Sequence, residues 1–143
     1  MNNRIIFYAD DDCDDRLLFE EAAATIPGKV VLFESGINLL ASLQQFIPAP
    51  SIIFMDLNMP GKSGFEIVAE IKGCDRFKNI PVVVLSTASD HYNINKVRNC
   101  GANFFISKPT SFVKLRLSIE HTFKIDWGKF APSIDDFYYR PGE

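Results

Sequence analysis

The chain has 143 residues, 47% of them hydrophobic, which suits one compact domain with a sizeable core. Its 15 basic and 18 acidic residues leave a net charge of −3, against the basic face of a nucleic-acid binder, and no apolar stretch approaches the length of a membrane span or a signal peptide's apolar region. Cys13, Cys74 and Cys100 have no metal-ligand spacing and read as reduced thiols, so a soluble cytoplasmic protein is expected.

The first apolar run, Ile5-Ile6-Phe7-Tyr8-Ala9, reads as a strand closed by Asp10-Asp11. Asp14 or Asp15 is placed to cap a helix near Arg16–Ile26, with Leu18, Ala22 and Ile26 on one stripe and Pro27-Gly28 at its end. Val30-Val31-Leu32-Phe33 gives a second strand. Ser35 then caps a helix with Ile37, Leu40, Leu43 and Ile47 at helical spacing. Pro48-Ala49-Pro50 turns the chain into Ile52-Ile53-Phe54-Met55, which Asp56 closes. After the Pro60-Gly61 turn, Gly64, Val68 and Ile71 face inward on a helix ending near Gly73. Pro81 opens a fourth strand, Val82-Val83-Val84-Leu85, closed by Ser86. A helix near Asp90–Cys100 turns Ile94 and Val97 inward, with Gly101 at its C′ position. The short strand Phe104-Phe105-Ile106 comes just before Lys108, and a last helix from Ser111 to about Phe123 carries Phe112, Leu115, Ile119 and Phe123 on one face.

Near-continuous apolar strands between amphipathic helices indicate a parallel sheet buried on both faces. The expected fold is α/β: a doubly wound, five-stranded parallel sheet of order 2-1-3-4-5, flavodoxin-like, with helices on both faces. That domain spans residues 4–124. The tail, 125–143, breaks the pattern and holds Trp127, Phe130, Phe137, Tyr138 and Tyr139. It either folds back over its own domain or supplies a partner or dimer contact, since aromatics anchor interfaces. The sequence leaves both open.

Parallel strands place their carboxyl ends on one edge, where open α/β sheets bind ligands. Asp10, Asp11, Asp56, Ser86 and Lys108 would meet there. Taken singly, each has a plainer role as cap, turn residue or solvated charge, and Asp12, Asp14 and Asp15 are read as no more than that. Together they define a site. Clustered carboxylates repel and must protonate or bind a cation, and hard oxygen ligands shared with a phosphate suit Mg²⁺. An aspartate beside such an ion is positioned to form an aspartyl phosphate. Lys108 supplies a point charge and Ser86 a hydrogen bond for phosphoryl oxygens, which is phosphoryl transfer by positioning and charge neutralisation.

The acidic pair, Asp56-Leu57-Asn58-Met59-Pro60-Gly61, Ser86-Thr87-Ala88 and Lys108-Pro109 together resemble the receiver domain of bacterial two-component response regulators. The similarity runs from about Arg4 to Phe123, and the separations from Asp56 to Ser86 and from Ser86 to Lys108 agree with it. The resemblance implies a cytosolic phosphoacceptor that receives a phosphoryl group on Asp56 from a sensor histidine kinase or phosphotransfer protein. It implies Mg²⁺ held by Asp11, Asp56 and the backbone carbonyl of Asn58, with Asp10 acting mainly through water. Ser86 would be the switch hydroxyl, Phe105 the aromatic that changes rotamer, Lys108 the phosphoryl ion-pair partner, and Lys108–Pro109 a cis peptide. With no output domain after the last helix, signalling would go through contacts with a downstream protein target or a homodimer, without nucleic acid or membrane.

Two positions depart from the family pattern. Thr87 stands where a small residue is usual beside the switch hydroxyl, and Thr110 where an aromatic is common. Two rivals share parts of the site. A haloacid dehalogenase-type phosphatase needs a general acid two residues after its nucleophile, and that position is Asn58, which has no carboxyl proton to give. A pseudo-receiver would keep the fold without accepting phosphate.

Overall fold

The computed structural model describes residues 4–45, 49–130 and 134–139. The strands are β1 (Ile5–Ala9), β2 (Lys29–Phe33), β3 (Ile52–Met55), β4 (Val82–Ser86), β5 (Phe104–Ser107) and β6 (Tyr138–Tyr139). They form one parallel sheet of order β2-β1-β3-β4-β5-β6. Helices α1 (Cys13–Ala22), α2 (Gly36–Leu43), α3 (Gly64–Lys72), α4 (His91–Asn99) and α5 (Phe112–Thr122) follow the first five strands in turn, and α6 (Ile134–Phe137) leads into β6. The expected order of five strands is present. The sixth, two residues long, is added to the β5 edge.

Alternate residues of each strand enter two separate cores, because both faces of the sheet are covered. Phe7, Ala9, Ile53, Met55, Val82, Val84 and Phe105 pack with Leu39, Leu43, Ile67, Ile71, Ile94 and Val97 from α2, α3 and α4. Ile6, Tyr8, Ile52, Phe54, Val83, Leu85 and Phe104 pack with Phe19, Ala22, Leu115 and Ile119 from α1 and α5.

The helix faces differ from expectation where the start of a helix sets its phase. Asp12, not Asp14 or Asp15, caps α1, accepting the N–H groups of Asp14 and Asp15. Ala22 is buried as expected, but Phe19 turns inward with it and Leu18 is left 43% exposed. In α2, capped by Ser35 as expected, Leu39 and Leu43 are buried but Ile37 is exposed. Ile47 lies outside the described residues. In α5, Ser111 caps and Leu115 and Ile119 are buried, while Phe112 is exposed. α3 and α4 turn Gly64, Val68, Ile71, Ile94 and Val97 inward as expected. Two glycines are required by their places. Gly101 follows α4 at φ +109°, a conformation L side chains rarely adopt. Gly64 opens α3 so close to the β3 exit that a Cβ would sit 2.7 Å from the Asp56 carbonyl oxygen.

The tail folds back on its own domain. β6 pairs Tyr138 with Phe105 and Tyr139 with Ile106. Phe137 is 1% exposed in the α2–α4 core, and Trp127, Phe130 and Tyr139 pack on the α1–α5 core. The segment therefore closes the sheet edge from both faces, which blunts an otherwise unpaired strand.

Candidate functional site

Backbone hydrogen bonds between strand ends bring the predicted residues to one edge. Asp10 N–H donates to the Phe33 carbonyl (3.1 Å), Asp56 N–H to Ala9 (3.0 Å) and Lys108 N–H to Ser86 (3.0 Å). Each polar side chain is thereby tied to the neighbouring strand, and its position follows from the register rather than from a loop. Asp10, Asp11 and Asp56 each offer a carboxylate oxygen within 4.8 Å of the others.

Lys108 joins the cluster. Its Nζ lies 2.9 Å from Asp10 Oδ2, 2.8 Å from Asp15 Oδ2 and 3.4 Å from Asp56 Oδ2. Burial pulls the Lys108 pKa down, but hydrogen bonds to Asp15 and Asp10 and the charges of Asp56 and Asp10 outweigh it, holding the group above its ordinary value. One ammonium therefore partly neutralises three carboxylates.

Asp10 is fully buried and its oxygens are occupied. Oδ2 accepts the Tyr8 hydroxyl at 2.5 Å as well as Lys108, and Oδ1 accepts the Asp12 N–H at 3.0 Å. Tyr8 is itself buried and stacked on Phe19, with ring centroids 4.1 Å apart. Burial, then the Asp10 charge and hydrogen bond, raise the Tyr8 pKa far above its usual value, so the phenol stays a neutral donor. Asp56 is 9% exposed, and its Oδ1 accepts the Leu57 N–H at 2.7 Å. Asp11 and Asn58 are exposed. The donor set fits a small divalent ion: Asp10, Asp11 and Asp56 each offer a hard carboxylate oxygen to one spot, and Asp10 already accepts from Tyr8, Lys108 and the Asp12 N–H.

Ser86 is fully buried, its Oγ accepting the Ala88 N–H at 3.2 Å, and Thr87 beside it is exposed. Ser107 Oγ donates to Ser89 Oγ at 3.3 Å, tying the loop after β4 to the end of β5. Phe105 is buried, with its ring 5.7 Å from that of Tyr138.

Two contributors escape the sequence reading. Asp15, read as a cap or turn residue, contacts Lys108; only the true phase of α1 shows that it projects over the sheet edge. Tyr8 sits within an apolar run, and strand alternation places it two residues before Asp10 on the same face, a signal that was available.

A sequence profile of the response regulator receiver domain matches residues 6–120. Response regulator Rcp1 of Synechocystis is 34% identical over 110 residues, covering 73% of this chain and 75% of that protein. A two-component response regulator of Arabidopsis thaliana, ARR17, is 32% identical over 114 residues, covering 73% and 74%. Among solved structures, the phosphorylated cyanobacterial phytochrome response regulator RcpA superposes with a TM-score of 0.79 at 33% identity, covering 92% of this chain and 98% of that one. The Mn²⁺-bound form of Rcp1 superposes with a TM-score of 0.75 at 28% identity, covering 91% and 99%. The chain belongs to the response regulator receiver domain family. Phosphoryl acceptance on aspartate is general to that family, and its acidic pocket binds a divalent metal. Among the described residues no helix is long and apolar enough to cross a membrane.

Proposed function

We propose that Asp56 accepts a phosphoryl group from the phosphohistidine of a sensor kinase or phosphotransfer protein. An Asp56 oxygen attacks phosphorus as the N–P bond breaks, and the departing imidazole keeps the electron pair and takes a proton from solvent. The observation that carries this reading is the Lys108 ammonium, bridged between Asp10 and Asp56 at the sheet edge. There it is poised to pair with a phosphoryl oxygen once Asp56 is phosphorylated.

Asp11, Asp56 and the Asn58 carbonyl would hold Mg²⁺, with Asp10 reaching it through water. When bound, the ion offsets the negative charge of the transferring group. Ser86 donates to a second phosphoryl oxygen, and Phe105 moves toward the space it leaves, a population shift between two packings biased by the phosphate. Lys108–Pro109 is proposed to be cis. Residues 4–124 act as the receiver unit and 125–143 as its appended tail, in a cytoplasmic protein whose output passes through contacts with another protein.

Incubation of the full chain with Mg²⁺ and a small acyl-phosphate donor is expected to add one phosphoryl group by intact mass, and Asp56→Asn abolishes the gain. No gain from any donor or kinase would leave a pseudo-receiver. Asn58 in place of a general acid argues against phosphatase turnover, and sustained Mg²⁺-dependent hydrolysis of a generic phosphomonoester would overturn the reading.

A further inference from the structure

Asp15 has no part in the chemistry above, yet it makes the shortest Lys108 contact, 2.8 Å against 2.9 Å for Asp10 and 3.4 Å for Asp56. Helix phase puts it there. With Asp12 as the cap, Asp15 lies in the first turn of α1, its N–H bonded to Asp12 Oδ1 at 3.1 Å and its carboxylate turned over the sheet edge toward Lys108. An ammonium has three N–H donors, and here all three have carboxylate partners. The longest contact is the one to the acceptor residue, so the charge is drawn toward α1 and away from Asp56.

Building on the phosphoacceptor reading, we propose that Asp15 is a positioning residue that competes with the phosphoryl group on Asp56 for Lys108. A phosphoryl group at Asp56 presents more negative charge than the carboxylate it replaces and is the stronger acceptor. For Lys108 to pair fully with it, the Asp15 contact must lengthen. Asp15 is 33% exposed at its side chain, so the released carboxylate regains water and the competition is modest rather than prohibitive. Asp15 thus sets how strongly the site holds its phosphoryl group.

An acid in the first turn also favours α1 through the helix dipole, and its charge repels a phosphate directly. Neither effect runs through Lys108, so a double-mutant cycle separates them from the proposal. The full chain is titrated with beryllofluoride, a phosphoryl mimic, at Mg²⁺ concentrations saturating for each variant, and affinity is read by calorimetry. Asp15→Asn is expected to bind roughly three- to tenfold tighter, the scale of a partly exposed ion pair. Asp15→Glu, which restores the carboxylate, returns affinity toward wild type. In a Lys108→Met background the Asp15→Asn gain disappears. Unchanged or weaker binding in Asp15→Asn overturns the proposal, as does a gain that persists undiminished without Lys108. Wild-type chain that fails to bind beryllofluoride removes the phosphoacceptor reading itself, an outcome distinct from an unresponsive Asp15→Asn.

Discussion

At the carboxyl end of the sheet, side chains are held together by charge. Asp10, Asp15 and Asp56 surround one ammonium, and Tyr8 adds a hydroxyl. Along the β5 edge, a few residues away, the tail is held by ring faces. Phe104 lies 6.2 Å from Trp127 and 5.8 Å from Phe130, His121 stacks on Tyr139 at 4.7 Å, and Phe105 meets Tyr138. In the cleft a few strong interactions carry everything, so loss of one partner strands a buried charge. At the edge many weak contacts add up, and a damaged tail can undock and leave the rest folded. Phe105 belongs to both regions. It pairs with Tyr138 and lies on the same strand as the residues leading to Lys108.

The sharpest test of this contrast is Lys108→Ala. Leaving Asp10 buried and unpaired should destabilise the metal-free protein by about 3–5 kcal/mol, measured by urea unfolding in chelator. Added Mg²⁺ should recover part of the loss, because a second cation neutralises the same carboxylates. A change below about 0.5 kcal/mol would mean the cleft is not charge-held. Tyr8→Phe, which removes only the hydroxyl donated to Asp10, should cost about 1.5–3 kcal/mol by the same assay.

The edge should respond differently. Phe137→Ala is expected to cost about 1–2 kcal/mol, less than a core phenylalanine usually does, because undocking of the tail caps the loss. Mg²⁺ should restore none of it, and amide exchange should rise selectively in β5. Equal protection of β5 in mutant and wild type would show that the tail does not cover the edge. The smallest effect concerns pH. Burial, then the Lys124 charge, lowers the His121 pKa. The folded state thus binds this proton less readily than the unfolded chain. Stability contributed here is full above the unfolded value near 6.5 and falls as pH drops through it toward the lower folded value. Thermal midpoints between about pH 5 and 8 should drop at the acid end in wild type, and less so in His121→Asn. Identical pH profiles would remove His121 from the account.

The cleft was legible because its residues end strands, and parallel strands share an edge; residue type and spacing were enough. Asp15 was not, because five acids crowd Asp10 to Asp15 and only the position of the cap decides which one reaches Lys108. The same phase explains Phe19 in place of Leu18. Tyr8 was legible only in part: alternation puts it on the face of Asp10, but a phenol in an apolar run reads as core until its hydroxyl has a partner. β6 is two residues long, too short for any periodicity, and it exists through packing on β5 rather than through its own strand preference.

Asp56 is proposed to carry the phosphoryl group. Borohydride reduction of the chain after phosphorylation converts an aspartyl phosphate to homoserine, and peptide mass spectrometry then locates it. Homoserine is expected at position 56 alone, dependent on Mg²⁺. Phosphoryl gain with homoserine at another aspartate, or with none at all, would contradict it.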